Sequence, residues 1–108
     1  MTNSIHQKLL ALYDGDLERV GFVLPDNQVI EVTNISPTPE KGFDVSPEDV
    51  MKYGDDAVAT WHTHPNADNN LSAIDMETFL LWSDVDHYIV GNNGVRKYVV
   101  KDGDVLID

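Results

Sequence analysis

Six short runs rich in β-branched and aromatic residues recur along this chain, at residues 19–24, 29–33, 57–61, 87–90, 95–100 and 105–107. Each is too short to be a helix, and the gaps between them carry turn formers: Pro25, Asp26 and Asn27 after the first, Gly91 to Gly94 after the fourth, Asp102 and Gly103 after the fifth. Such runs read as strands, and the first pair and the fourth and fifth read as hairpins. Three other stretches read as helices. Ser4 to Gln7 has capping-box spacing, and Ile5, Leu9, Leu10 and Tyr13 follow near helical period, so a first helix is expected to end by Asp14 and Gly15. Ser46, Pro47, Glu48 and Asp49 give a serine cap, a first-position proline and acids in the first turn of a short helix ending at Gly54. Residues 72–83 form the clearest helix, with Ile74, Phe79, Leu80 and Trp82 available to pack. The chain therefore reads as one α/β domain over residues 1–108, a curved and mostly antiparallel sheet flanked by helices, with one core.

The composition narrows the chemistry. There is no cysteine among the 108 residues, so neither a disulfide nor a thiolate metal site is available, and any metal must be held by histidine and carboxylate. Nineteen acidic residues against seven basic ones give a formal net charge of −12, which repels phosphate backbones and argues against nucleic-acid binding. No apolar run approaches the ~20 residues of a bilayer span, and Met1 to Leu10 lacks the basic-then-apolar pattern of a secretory leader. The expectation is a soluble, cytoplasmic protein with no membrane partner.

His62 and His64 stand at the end of the expected third strand. Strand side chains alternate, so both imidazoles project to one side, while Trp61 and Thr63 face the other and are expected in the core. Two nitrogens on one face can grip a single ion. A hydrolytic zinc site commonly adds a third protein ligand and leaves a position for water. Asp75, separated from His64 by ten residues and one turn into the next helix, is the candidate third ligand, with Asp68 in the intervening loop as its main competitor and Asp84 and Asp86 lying beyond the helix. Ser72 and Asp75 also have capping-box spacing, so on their own they read better as a helix start. His6 and His87 have no ligand partner at a telling spacing. There is no His-Glu-x-x-His motif, and the chain is too short for an eight-stranded α/β barrel.

Taken as one string, His62, Thr63, His64 and Pro65, then six residues, Ser72, two residues and Asp75, resembles the signature of the JAMM (MPN+) metalloproteases. That family also places a glutamate a few residues before a glycine on an earlier strand, a position filled by Glu18 ahead of Gly21. Residues 18–24, Val32 to Asn34, and Phe43 with Ser46 to Asp49 look like its small prokaryotic branch, which includes the N-terminal domain of tail assembly proteins of lambda-type phages. The resemblance implies Zn2+ held by His62, His64 and Asp75, Glu18 as general base, and Ser72 as a hydrogen-bond donor to the oxyanion. It implies hydrolysis of a peptide or isopeptide bond in a protein or peptide substrate, in phage tail assembly. Removal of a ubiquitin-like or sulfur-carrier protein from its conjugates is the alternative with the same chemistry, and a metal-free scaffold on the same fold is the alternative of another class. The chain lacks the long insertions with which larger relatives hold ubiquitin, which implies that a partner chain or second domain presents the substrate.

Overall fold

The computed structural model describes residues 4–108. The expected Ser4 cap depends on a side chain outside the described set, as does the start of the N-terminal stretch. The elements run α1 (Ser4–Leu10), β1 (Val20–Leu24), β2 (Gln28–Val32), α2 (Pro47–Tyr53), β3 (Ala59–Thr63), α3 (Ala73–Leu81), β4 (Asp86–Gly91), β5 (Gly94–Lys101) and β6 (Asp104–Ile107). The strands form one six-stranded sheet in the order β2-β1-β3-β4-β5-β6. All pairings are antiparallel except β3 with β4, which are parallel because α3 carries the chain back between them. The expected α/β domain and its hairpins are present. Among the described residues, no helix is long and apolar enough to cross a membrane.

Strand alternation divides the core between the two faces. On one, Ile5 and Leu9 of α1 pack on Val23, Ala59, Trp61, Tyr88 and Val90. On the other, Val20, Phe22 and Val32 form one cluster with Ala57, and Phe79 of α3 forms a second with Ile89 and Tyr98. Trp61 and Thr63 are fully buried, as expected. The Trp61 indole donates to the carbonyl of Ile30 (3.1 Å), crossing β1 at Gly21, where any Cβ would collide with that carbonyl and the indole. The Thr63 hydroxyl accepts the Arg19 amide (2.9 Å), which ties the end of β3 to the start of β1.

Three elements differ from the sequence-based expectation. α1 ends at Leu10 rather than near Asp14, because Leu12 and Tyr13 bond three residues back and tighten the last turn. This turns the Tyr13 hydroxyl onto the site loop, where it donates to the His64 carbonyl (3.2 Å) and accepts the Asn66 amide (2.8 Å). β3 spans 59–63 instead of 57–61, so His62 lies within the strand. The ladder with Val20 on one side and with Ile89 and Val90 on the other sets that end. α3 buries Phe79 but leaves Ile74 75% and Leu80 41% exposed, with Trp82 half-buried just past its end. Its inward stripe is Asp75 and Phe79, four residues apart, so a carboxylate occupies a position that apolar periodicity would not select.

Candidate metal centre

Each side chain of the centre is placed by a backbone feature that the sequence supports locally. His62 projects from β3 toward α3 and is 1% exposed. His64 lies one residue past the strand, but its amide still donates to the Val90 carbonyl (2.8 Å), so the alternation continues and both rings share one face. Their Nε2 atoms are 3.2 Å apart. Ser72 caps α3, accepting the Asp75 amide through its hydroxyl (3.1 Å), while the Asp75 carboxylate accepts the Ser72 amide (3.0 Å). That reciprocal box aims Asp75 back at the histidines. One of its oxygens lies 3.0 Å from His62 Nε2 and the other 3.0 Å from His64 Nε2. Capping and contact with the histidines, competing readings of the sequence, are both true of Asp75.

Glu18 lies just before β1 and is 9% exposed. One of its carboxylate oxygens and one nitrogen each from His62 and His64 lie within 4.8 Å of one another. All five residues expected at the site, Glu18, His62, His64, Ser72 and Asp75, therefore line one cavity. Asp68, the competitor, acts through its backbone. Its carbonyl meets His64 Nδ1 (2.9 Å), while its side chain accepts the Asn70 amides (3.1 Å). Gly91 lets the Asp68 loop sit this close to β4, since a Cβ there would collide with the backbone of Asp68 and Asn69. His87 stays outside the centre. It stacks on Phe79 (4.2 Å between ring centres), bonds the Thr60 hydroxyl through Nδ1 (2.6 Å) and meets the Trp82 carbonyl through Nε2 (2.9 Å).

Burial and neighbouring charges shift all four groups. Burial dominates at His62 and lowers its pKa against the pull of Asp75, which favours the neutral form a metal ligand requires. At His64 burial works the same way, but the Asp75 hydrogen bond, the Asp68 carbonyl and the charges of Asp75 and Glu18 together outweigh it and raise the pKa. Burial would lift Asp75, yet the hydrogen bonds from both histidines, the charge of His62 and the Ser72 amide hold it well below the usual carboxylate range. Burial pushes Glu18 up to about 7, with Asp75 adding to the rise and His64 opposing it.

Two imidazole nitrogens and a carboxylate are donors of the kind that zinc takes. Tetrahedral zinc with nitrogen and oxygen ligands at ~2.0–2.2 Å sets neighbouring donor atoms roughly 3.3 Å apart. Here the two Nε2 atoms are 3.2 Å apart, and each lies 3.0 Å from a different oxygen of Asp75. The bond from His64 Nδ1 to a backbone carbonyl fixes the tautomer that leaves Nε2 for a metal.

Two contributors were missed by motif reasoning. Asn34 donates through its side-chain amide to the carbonyls of Glu18 (2.8 Å) and Gly42 (3.1 Å), and accepts the amides of Ser36 and Asp44 (both 3.0 Å). The Glu18 amide in turn donates to the Pro39 carbonyl (2.7 Å), so the 34–44 loop grips the backbone of Glu18 at both polar atoms. Phe43, on the same loop, lies 4.6 Å from the His62 ring and covers it. Both stood in stretches that carry the family resemblance, without a role, and Asn34 also directly follows a strand ahead of a proline-containing loop, a usual place for a side chain to satisfy turn backbone.

Asn34→Ala should lower stability by about 2–3 kcal/mol, since it removes four hydrogen bonds and strands part-buried backbone groups. Denaturant unfolding measures this. Amide exchange at Glu18 should speed up in the same variant, and unchanged exchange there would mean that Asn34 does not anchor the glutamate.

A pH effect follows from Glu18. Its folded pKa is raised, so the folded state binds the proton more tightly than the unfolded one, and this contribution to stability is lost as pH rises from about 4.5 to about 7. In chelator-treated protein, Glu18→Gln should therefore gain thermal stability relative to wild type between pH 5 and pH 8. A constant difference across that range would contradict the buried, proton-retaining carboxyl.

No protein-family model matches the chain, and no curated protein sequence matches it.

Proposed function

We propose that the chain is a zinc-dependent metallopeptidase or isopeptidase of the JAMM type, acting on a protein or peptide substrate in a setting such as phage tail assembly. One observation carries this reading. The two nitrogens and the carboxylate singled out by the signature spacing converge within 3.0–3.2 Å, and a second, buried carboxylate faces them across the same cavity. On this reading the mixed sheet, with α1 behind it and α3 beside the histidines, is the small core of the JAMM architecture.

His62 Nε2, His64 Nε2 and Asp75 would hold the ion. A zinc ion held by these groups would supply a water with its pKa lowered to ~7 and a Lewis acid for the scissile carbonyl. Glu18 takes the proton from the attacking water and delivers it to the departing amine. Burial suits it to both steps, because a carboxyl with a raised pKa can retain a proton as well as remove one. The Ser72 hydroxyl accepts the Asp75 amide and keeps its own O–H free to donate to the oxyanion. The loop on Asn34 fixes Glu18, and the Asp68 carbonyl fixes His64, so neither group need reorganise during reaction.

The test is to incubate zinc-loaded protein with a denatured protein mixture and read new peptide termini by mass spectrometry. Cleavage should appear, vanish with chelator and return with zinc. Cleavage indifferent to chelator, or no cleavage by zinc-loaded protein of free peptides and lysine-linked conjugates alike, would overturn the proposal.

A further inference from the structure

The cavity at the histidines has a volume of about 760 Å3 and continues past them over the sheet. It runs toward Thr60, which faces the same side of β3 as His62 and pairs with Phe22 of β1 and His87 of β4. There Phe22, Val50, Phe79 and Trp82 wall it, above a floor of Thr60 and His87. The walls are unfinished as a core: Val50 is 42% exposed and Trp82 is half-buried. The Trp82 ring lies 5.7 Å from that of Phe22, edge to face. The two polar floor groups satisfy each other, since the Thr60 hydroxyl bonds His87 Nδ1 and the opposite nitrogen bonds the Trp82 carbonyl. Both ring nitrogens of His87 and the Thr60 hydroxyl are thus already engaged, so an occupant gains there mainly by apolar burial. The charged side chains Glu40, Lys41 and Asp44 are exposed and belong to the rim. Distance then identifies the occupant. Thr60 and His62 are two residues apart on one strand, ~7 Å along it. That is roughly the reach of one large side chain from its own backbone.

We propose that this end of the cavity is a side-chain subsite that receives a bulky apolar residue, aromatic or branched, of a polypeptide substrate next to the bond being cleaved. The subsite deepens the peptidase reading and rests on it for the word substrate. Its occupancy, however, needs neither zinc nor turnover. It would make the enzyme selective for apolar positions in its targets, with the acidic rim left to contact flanking residues.

The experiment is an NMR titration of the 15N-labelled full chain with N-acetyl-phenylalanine amide, N-acetyl-leucine amide and N-acetyl-alanine amide. The Trp82 indole N–H and the amides of Val50 and Thr60 should shift saturably with the first two. The alanine compound should bind at least about tenfold more weakly, because it buries far less apolar area. Val50→Trp should fill the space and abolish the shifts without altering zinc content. Equal binding of all three compounds, or shifts absent from Trp82, Val50 and Thr60, would overturn the subsite. Shifts at those residues in a protein that binds no zinc would keep the subsite and remove the peptidase reading. Zinc binding and cleavage without the shifts would do the reverse.

Discussion

Asp75→Ala will purify without zinc, whereas the wild-type chain will carry about one zinc ion per molecule. The effect is large because this carboxylate is the only group that touches Nε2 of both His62 and His64 within hydrogen-bond distance among the described residues. Without it, two neutral nitrogens remain, one of them on a fully buried ring. The substitution also removes half of the α3 capping box, so the metal-free variant should be less stable by about 1 kcal/mol. Asp75→Asn separates the two effects, since an amide can still accept the Ser72 N–H but carries no charge for a cation. Both variants should lose zinc, and only the alanine should lose the cap. Elemental analysis beside thermal unfolding reads both quantities. Zinc retained by Asp75→Ala would transfer the third-ligand role to Glu18, whose carboxylate also clusters with the two histidines.

Glu18→Gln should keep its zinc and lose turnover by about 10²–10⁴-fold, the usual contribution of a positioned general base. The glutamine preserves shape, and the backbone bonds to Pro39 and Asn34 do not involve the side chain it replaces. Folding and metal content should therefore survive while proton transfer fails. The fall should appear in kcat, with KM little changed, because the carboxylate acts on the water rather than holding the substrate. Undiminished kcat in this variant would remove Glu18 from the mechanism. Loss of zinc instead would show that it ligates. Read together, the two substitutions assign one carboxylate to the metal and the other to the proton.

The amino-acid sequence by itself determined the kind and order of the elements and the chemistry available to them. Short β-rich runs between strong turn formers admit little but strands, and Ser46 with Pro47 starts a helix whatever surrounds it. Absence of cysteine restricts a metal site to nitrogen and oxygen, and alternate positions on a strand place His62 and His64 on one face wherever that strand lies. The tertiary structure decided the rest, because the remaining choices depend on groups distant in sequence. Asp75 and Asp68 both follow His64 within a dozen residues. Only the return of α3 over the sheet brings the Asp75 side chain to the imidazoles, while Gly91 seats the other loop so that Asp68 offers its carbonyl. β3 ends at Thr63 because ladder partners on β1 and β4 persist that far, which its own residues do not encode. α3 turns a carboxylate inward and leaves Ile74 in solvent because the reciprocal cap with Ser72 and the contacts with both imidazoles hold Asp75 there. Asn34 matters only because a loop closes onto Glu18, and closure of that kind is a property of the folded chain rather than of any window of its residues.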